Sequence, residues 1–263
     1  MTTFVSKTAN FAGGRLVDYD CPIADASVCV WLGGSLDDAV RNFGTGADLE
    51  VAGAPQVIDE LWCRVNGAAF FQTDALRANE NTLVAVYRLV GANAQSGANR
   101  PTIIGNEAPD GTGRSGFTLY ADGNDAANEK IIAAAVQHTN ENGTLVSTIP
   151  SVVVGTRGRN TPQFGLVSEA RLASGLSRVR AELLTAPTAA AQTDQNATTA
   201  IPPVNLGQPA YRIGASNRTD SSALIGQVDI AFAAIIPRLL TDVEKALVYA
   251  SVKRRFSAFG ITI

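Results

Sequence analysis

Three segments near the end of the sequence decide its fold: Tyr211-Arg212-Ile213-Gly214, Ile225-Gly226-Gln227-Val228-Asp229-Ile230-Ala231-Phe232 and Thr241-Asp242-Val243-Glu244. The first has the form of a short strand that ends at a glycine, and the second opens a longer strand. The third is a capping box, in which a threonine and a glutamate three residues later satisfy free backbone N–H groups at the start of a helix. Together they predict a β-sandwich that is closed by a C-terminal helix.

The long strand and the helix each show a regular spacing of apolar residues. Period two predicts that one face of the strand carries Val228, Ile230, Phe232, Ala234 and Ile236. The opposite face opens with Gln227 and Asp229. Helical spacing predicts that the apolar face of the helix is made of Val243, Ala246, Leu247 and Ala250 and ends at Arg254. The basic cluster Lys253-Arg254-Arg255 falls in the last turn, where cations complement the helix dipole.

Upstream segments add further strands. The nearly continuous apolar run from Leu83 to Leu89 predicts a strand that is buried on both faces. Alternation from Val57 to Val65 predicts one more strand. The segment from Phe164 to Leu184 has a helix-forming composition, but its residues alternate and Ala173-Ser174-Gly175 divides it like a hairpin turn. We therefore expect two antiparallel strands there, with a helix as the alternative.

The composition argues against several classes of protein. The 263 residues are 46% hydrophobic and 17% charged with a net charge of −3, so we expect a packed core and see no basic stripe for nucleic acid. The longest apolar run, Ile230 to Ile236, is far shorter than the roughly 20 residues of a membrane helix. The polar start, Met1 to Lys7, lacks the apolar core of a signal peptide. The odd set Cys21, Cys29 and Cys63 has no metal-binding spacing and predicts buried free thiols.

In the order of its segments the chain resembles the concanavalin A-like lectin/glucanase superfamily, in its laminin-G-like jelly-roll branch. Tyr211-Arg212-Ile213-Gly214-Ala215 looks like the family's glycine-terminated strand, Gly226 to Ile230 looks like the strand after it, and Leu240 to Glu244 looks like the family's helix start. Three earlier segments look like its first core strands, namely Ala47 to Pro55, Asn66 to Thr73 and Thr82 to Arg88.

The resemblance covers residues 45–263 and implies an all-β fold, a two-sheet antiparallel jelly-roll sandwich with a short C-terminal α-helix. Residues 1–44 have no counterpart in it. We expect them to form an N-terminal arm or extension that can pack on the sandwich.

Members of this superfamily include lectins, glucan hydrolases, adhesion modules and bacteriophage virion proteins, so the fold alone does not decide the function. The polar arm, the missing export signal and the loops rich in Ala, Thr, Asn and Gly fit the virion proteins best. The leading hypothesis is a non-enzymatic bacteriophage virion structural or attachment protein, such as a capsid decoration, tail fibre or baseplate component. It would be made in the host cytoplasm and located in the virion. The alternative is a free carbohydrate-binding module of the lectin type.

The resemblance also implies the partners. These would be other virion proteins, docked through the N-terminal arm or a sandwich face, and further copies of the chain in a homo-oligomer. A host-surface glycan is a further candidate partner. Nucleic acid is not expected, because the charge pattern offers it no footprint.

No catalytic residues are predicted. Glucanases of this fold carry a Glu-x-Asp-x-x-Glu pattern, which the sequence lacks, and retaining chemistry needs two carboxyls about 5 Å apart. Asp59 and Glu60 are adjacent, so they would point to opposite faces of a strand. The only histidine, His138, has the polar neighbours of a loop, and Cys63 falls in a predicted core strand, so no nucleophile and base pair up. A hydrolase that uses Asp59 or Glu60 is the weakest hypothesis.

The candidate ligand-binding residues are Asp122, Asn124 and Asp125, in the turn Asp122-Gly123-Asn124-Asp125. Laminin-G-like domains, which this chain resembles, include some that bind calcium at a sandwich rim. Calcium takes six or more oxygens, whereas this turn supplies three, so an ordinary hairpin turn is favoured over a metal site. We therefore expect neither a metal nor a cofactor.

Aromatic side chains are the usual platforms for sugars, and Trp31, Trp62 and Tyr120 are the candidates. Trp31 and Trp62 fall in strand-like runs, where packing in the core is the default. The aromatic content of 6% weakens the lectin hypothesis without excluding it.

Overall fold

The protein, described here by a computed structural model, is a sandwich of two antiparallel β-sheets with one long helix outside it. The structure describes residues 19–90, 99–109, 114–122, 129–138, 145–155, 161–171, 177–184, 192–196, 209–218 and 224–263. The elements in chain order are β1 (Val28–Trp31), α1 (Leu36–Ala39), β2 (Glu50–Ala52), β3 (Gln56–Val57), β4 (Cys63–Val65), β5 (Phe70–Gln72), β6 (Glu80–Leu89), β7 (Thr102–Gly105), β8 (Ala108–Pro109), β9 (Arg114–Asp122), β10 (Glu129–His138), β11 (Leu145–Thr148), β12 (Ser151–Gly155), β13 (Gln163–Arg171), β14 (Ser177–Leu183), β15 (Gln192–Asn196), β16 (Arg212–Ile213), β17 (Val228–Ile236) and α2 (Asp242–Ala258).

Within these ranges the strands form two sheets. Sheet A has the order β15-β14-β13-β6-β17-β4-β3, and β1 also pairs with β17. Sheet B has the order β11-β10-β9-β7-β16-β5-β2, with β12 on β10 and β8 on β9. The two-sheet antiparallel sandwich with a C-terminal helix is therefore confirmed. None of the helices in the described ranges is long and apolar enough to cross a membrane.

Two hydrophobic clusters hold the layers together. The first lies between the sheets and includes Phe71, Leu83, Phe117, Val167 and Ile230. The second lies between the outer face of sheet A and α2 and includes Trp31, Trp62, Phe164, Phe232 and Phe256. Because sheet A is covered on both faces, its central strands are apolar throughout, as the run in β6 predicted.

The predicted hairpin after Phe164 is confirmed. Strands β13 and β14 pair antiparallel from Gly165 with Leu183 to Arg171 with Ser177, which excludes the helix alternative. The turn residues 173–175 lie outside the described residues. Val179, Ala181 and Leu183 point into the core between the sheets, so Arg178, Arg180 and Glu182 point outward.

The predicted single apolar face of β17 is wrong beyond Ile230. Val228 and Ile230 pack between the sheets, but the register with β6 shifts between Ile230 and Phe232. This shift is a β-bulge, which inserts one residue and reverses the alternation that follows. Phe232 therefore packs under α2 on the outer face.

The single strand predicted from Val57 to Val65 is also wrong, because the segment is a hairpin of β3 and β4. One carboxylate makes the turn: Asp59 Oδ1 accepts hydrogen bonds from the backbone N–H groups of Leu61 (2.8 Å) and Trp62 (3.0 Å). An aspartate that bonds to backbone two or three residues ahead stabilises a turn and competes with a continuous strand.

Helix α2 begins at the predicted capping box. The Thr241 hydroxyl accepts from the Glu244 backbone N–H at 3.3 Å, and the Glu244 carboxylate accepts from the Thr241 N–H at 2.9 Å. The predicted buried face is wrong, however, since Val243 is 71% exposed. The buried residues are instead Val248, Val252 and Phe256.

The aromatic residues of sheet A select this buried face of α2. The Phe256 ring lies 6.3 Å from that of Trp31 and 5.7 Å from that of Trp62. The neighbouring Arg255 guanidinium lies 4.6 Å from the Trp31 ring centroid, and burial lowers the pKa of Arg255 to about 10. Arg255 therefore lies in the last turn of α2 and also stacks on the Trp31 ring. The helix-dipole argument predicted only the position in the last turn.

Part of the stretch before residue 45 belongs to sheet A. Strand β1 pairs with β17 from Val28 with Ile235 to Trp31 with Phe232. The segment before β1 is tied to α2, because the Arg238 guanidinium bridges Asp25 (2.6 Å) and Glu244 (2.6 Å). Residues 1–18 lie outside the described residues, and the division of the chain at residue 44 stays a prediction.

A buried ion pair lies inside the sandwich beside β13. Arg77 Nη2 is 2.6 Å from Glu169 Oε1, and the two side chains are 1% and 2% exposed. Burial raises the pKa of Glu169, and the positive charge of Arg77 opposes that rise. Burial also raises the pKa of the nearby Tyr211 hydroxyl.

Candidate functional site

The outer face of sheet B carries a polar row that runs across five strands. The cross-strand register places Glu50 of β2, Gln72 of β5, Arg212 of β16, Gly105 of β7 and Thr118 of β9 side by side. Their neighbours along the strands, such as Phe71 and Ile213, point into the core, so these five residues face outward. We call this set the transverse row.

Arg212 is the centre of the transverse row. Its Nε donates to Gln72 Oε1 at 2.9 Å, and its Nη1 donates to the Ser216 carbonyl oxygen at 3.0 Å. Its guanidinium carbon lies 4.6 Å from the centroid of the Phe70 ring, which is half-buried beneath it. Burial lowers the pKa of Arg212.

The partners of Arg212 are all neutral. Of the ion pairs between described residues, none includes Arg212. A guanidinium carries five N–H donors, and two of them are used here. Arg212 is thus a half-buried cation that is held in one orientation and still has donors for a carboxylate or for paired hydroxyl groups.

The next positions of the transverse row, Gly105 and Thr118, are closely packed against each other. Gly105 has no side chain, and a Cβ placed there would come within 2.8 Å of Thr118 Oγ1 and 3.2 Å of Thr102 Cγ2. Thr102 Oγ1, Thr118 Oγ1 and Asn106 Nδ2 are buried without a hydrogen-bond partner. Buried polar atoms of this kind normally bind ordered water or a ligand.

Asp122, the first of the predicted ligand-binding residues, ends β9 on the same outer face. Its Oδ2 accepts from Arg100 Nε at 3.0 Å and lies 2.9 Å from Arg100 Nη2, while its Oδ1 is buried without a hydrogen-bond partner. Asn124 and Asp125 lie outside the described residues. The structure therefore shows how Asp122 is oriented, and the ligand-binding role of the turn stays a prediction.

The aromatic candidates divide between the two sheets. Trp31 and Trp62 are 2% and 1% exposed in the cluster beneath α2, as core packing predicted. Tyr120 is outward-facing on sheet B and 9% exposed, and burial raises the pKa of its hydroxyl. Phe70, which the sequence did not single out, is the half-buried ring beside the transverse row.

Asp59, one of the two carboxylates considered for catalysis, and the buried Asp229 both have structural partners. Asp59 makes the β3–β4 turn described above. Asp229, which is 1% exposed, accepts from Arg64 Nε at 2.8 Å and from Arg88 Nε at 3.0 Å. His138 ends β10 rather than lying in a loop. Across the described residues, no three His, Cys, Asp or Glu side chains are grouped so as to hold a metal ion.

The sequence predicts Arg212 only as part of a short strand, and it places the candidate ligand-binding residues in the turn that begins at Asp122. The signal that was available is the alternation of Tyr211, Arg212 and Ile213, which places one charged residue outward between two buried apolar ones. Its neighbours Gln72 and Thr118 are far away in sequence, so only the sheet register brings them together.

Comparison with known proteins places the chain in a class of folds. No family model and no curated protein matches the sequence. Among solved structures it is similar to the binding domain of botulinum neurotoxin serotype D, with a TM-score of 0.50, 12% identity and coverage of 88% of this chain and 52% of that one. A mutant of HCR/D gives a TM-score of 0.50, 12% identity and coverage of 88% and 53%. The CBM40 of the Ruminococcus gnavus IT-sialidase matches with a TM-score of 0.40, 17% identity and coverage of 67% and 84%.

The two matches with a TM-score of 0.50 show the fold alone. The chain shares a β-sandwich fold with them, and it spans about half the length of the neurotoxin binding domain and of HCR/D.

Proposed function

We propose that the chain is a non-enzymatic binding module that recognises a saccharide on the outer face of sheet B. The observation that carries the proposal is Arg212, a half-buried guanidinium with only neutral partners at the centre of a polar row. The lectin-like sandwich and its similarity to a neurotoxin binding domain support a role in binding. This favours the lectin-type module, the alternative of the two hypotheses drawn from the sequence.

The chemistry of the transverse row suits a polyhydroxylated ligand. Sugars need donors and acceptors at fixed spacing, and the row offers the Glu50 carboxylate and the Gln72 side-chain carbonyl oxygen beside the Arg212 donors. Strand positions are rigid, and the Phe70 ring supports the guanidinium. Little conformational entropy is therefore lost when a ligand binds.

The experiment is a glycan array with the purified chain, followed by titration of the best saccharide. Arg212→Met should weaken binding about 10-fold to 100-fold, because a hydrogen bond to a charged group contributes about 1.5–3 kcal/mol. The matched control is Arg254→Met, since Arg254 is exposed on α2 outside sheet A. Thermal melting should show that both variants are folded.

Two results would count against the proposal. One is the absence of any saccharide ligand with calcium present and absent. The other is unchanged affinity of a folded Arg212→Met variant.

We further propose that the module works in the virion of a bacteriophage, as the sequence resemblance implies. An attachment component needs a surface that recognises the host, and a saccharide site on sheet B would provide it. Mass spectrometry of purified phage particles should detect this chain, and particles that lack it would refute the location while leaving saccharide binding intact.

A further inference from the structure

A separate pocket lies on the other side of the sandwich, where the outer face of sheet A meets the start of α2. Its volume is about 210 Å³, and it is lined by Thr82, Leu166, Ser168, Ala170, Arg178, Arg180, Leu239, Leu240 and Lys245. Strands β6, β13 and β14 form its floor, and the segment that leads into α2 forms one wall. We call it the α2 pocket. It shares no residue with the transverse row.

Among the described residues, the ionisable side chains that line the α2 pocket are all cationic, namely Arg178, Arg180 and Lys245. The carboxylate that pairs with two of them, Glu182, is not among the described lining residues. Its Oε1 lies 3.1 Å from Arg180 Nη1 and 2.8 Å from Lys245 Nζ. Glu182 is only 8% exposed, and its negative charge offsets part of the positive charge of these two cations.

Two of the three cations of the α2 pocket are partly withdrawn from water, whereas Arg178 is exposed. The Lys245 side chain is 14% exposed and that of Arg180 is 25% exposed. Lys245 also lies 3.4 Å from Asp242 Oδ1, but Asp242 is 98% exposed, so water screens that pair. In a site of reduced water contact, an attraction between unlike charges is stronger than at an open surface.

The remaining walls limit the size of what can bind. Leu166, Ala170 and Leu240 are apolar, and the Ser168 hydroxyl lies among them. The Thr82 hydroxyl donates to the Arg238 carbonyl at 2.8 Å, which fixes its orientation. A space of about 210 Å³ is smaller than a typical pocket for a drug-sized molecule and suits one charged group on a small ligand.

We propose that the α2 pocket is a binding site for a small oxyanion, the carboxylate or sulfate group of an acidic ligand. A guanidinium matches the two oxygens of such a group, and the Lys245 ammonium adds a compact positive charge. The apolar walls exclude water and accommodate the carbon atoms next to the anion. This site is independent of the saccharide site on sheet B.

The test is an NMR titration of the full chain at low salt with three probes: sodium sulfate, sodium glucuronate and glucose. Sulfate, glucuronate or both should shift the backbone amide signals of Ser168 and Ala170, and glucose should not. A response to glucuronate alone identifies a carboxylate site, and a response to sulfate alone identifies a sulfate site. No shift of these amides with either anion at millimolar concentration would overturn the proposal.

Three variants sharpen the test. Lys245→Gln should weaken anion binding about 10-fold, by the loss of one charge-assisted hydrogen bond. Ala170→Leu should abolish it by filling the pocket without changing any charge. Lys253→Gln is the matched control, because Lys253 is an exposed lysine of the same helix that does not line the pocket.

Glu182→Gln distinguishes a ligand site from a purely structural cluster of charges. Removing the carboxylate removes one anion that competes for Arg180 and Lys245, so the added anion should bind more tightly. Weaker binding by a folded Glu182→Gln variant, or unchanged binding by Lys245→Gln, would refute the proposal. Arg212→Met should bind the anion like the wild type, which separates this site from the proposed saccharide site.

Discussion

The buried pair of Arg77 and Glu169 allows a sharp prediction, because its two members respond differently to the loss of the other. Arg77→Met leaves a carboxyl in a site that is 2% exposed. An ionised carboxylate is very costly there, so the folded variant should hold Glu169 in its neutral form. Glu169→Gln instead leaves the buried Arg77 guanidinium and removes a carboxylate.

The magnitudes follow from proton linkage. Keeping a carboxyl protonated when its unfolded-state pKa is about 4.3 costs about 1.36 kcal/mol per pH unit, which is about 3.7 kcal/mol at pH 7 and about 1 kcal/mol at pH 5. The folded variant holds a proton that the unfolded chain has lost, so its free energy of unfolding falls as pH rises. Glu169→Gln should lower the free energy of unfolding by roughly 3–5 kcal/mol at both pH values, because a buried guanidinium loses a charged hydrogen-bond acceptor.

The assay is urea unfolding of both variants at pH 5, 6 and 7. Every other titrating group is common to the two variants, so the difference between their stabilities isolates Glu169. This difference should change by about 1.4 kcal/mol per pH unit, with Arg77→Met the more pH-sensitive variant. Equal pH slopes would refute the view that the pair is ionised and sealed from water.

Further predictions concern the covered face of sheet A and the start of α2. Asp229→Asn should lower the free energy of unfolding, measured with urea, by about 2–3 kcal/mol, because Arg64 and Arg88 lose a shared charged acceptor. The control Asp242→Asn, at a 98% exposed position, should change it by less than about 0.5 kcal/mol. Phe256→Ala should lower the free energy of unfolding by about 3–5 kcal/mol, because it opens a cavity against Trp31 and Trp62. Phe259→Ala, at a 41% exposed position, is the control and should have a smaller effect. Hydrogen bonds from Arg238 and Thr241 lower the pKa of Glu244 to about 2 from its ordinary 4.5, so its contribution is present above pH 4.5 and is lost as pH falls towards 2. Acid unfolding of Glu244→Gln, followed by circular dichroism, should lack that component, and an unchanged acid profile would contradict the assignment.

The sequence predicts most reliably what is decided by neighbouring residues. The α2 start follows from a threonine and a glutamate three residues apart, and the β13–β14 hairpin follows from alternation on both sides of a turn. The buried face of α2 was missed because the helix has two apolar stripes, Val243 with Leu247 and Val248 with Val252. Only the tryptophans of sheet A, contributed by distant strands, decide between them.

The candidate site depends on contacts that are distant in sequence. Gln72, Gly105 and Thr118 become neighbours of Arg212 through sheet register, which one sequence cannot reveal. The bulge after Ile230 likewise changes which face later residues occupy, although the alternation of residue types continues unbroken.

The position of β17 has a consequence for how the chain folds during synthesis. β17 pairs with β6 on one side and with both β4 and β1 on the other, so three earlier strands complete their pairing only with residues 228–236. Such non-local pairing slows folding, since a long loop must close before the contacts form. Until that strand leaves the ribosome, β6 has an unpaired apolar edge, the kind of surface on which incomplete chains aggregate. A chain that stops before Val228 should therefore collect in insoluble material, even though most of sheet B is already encoded.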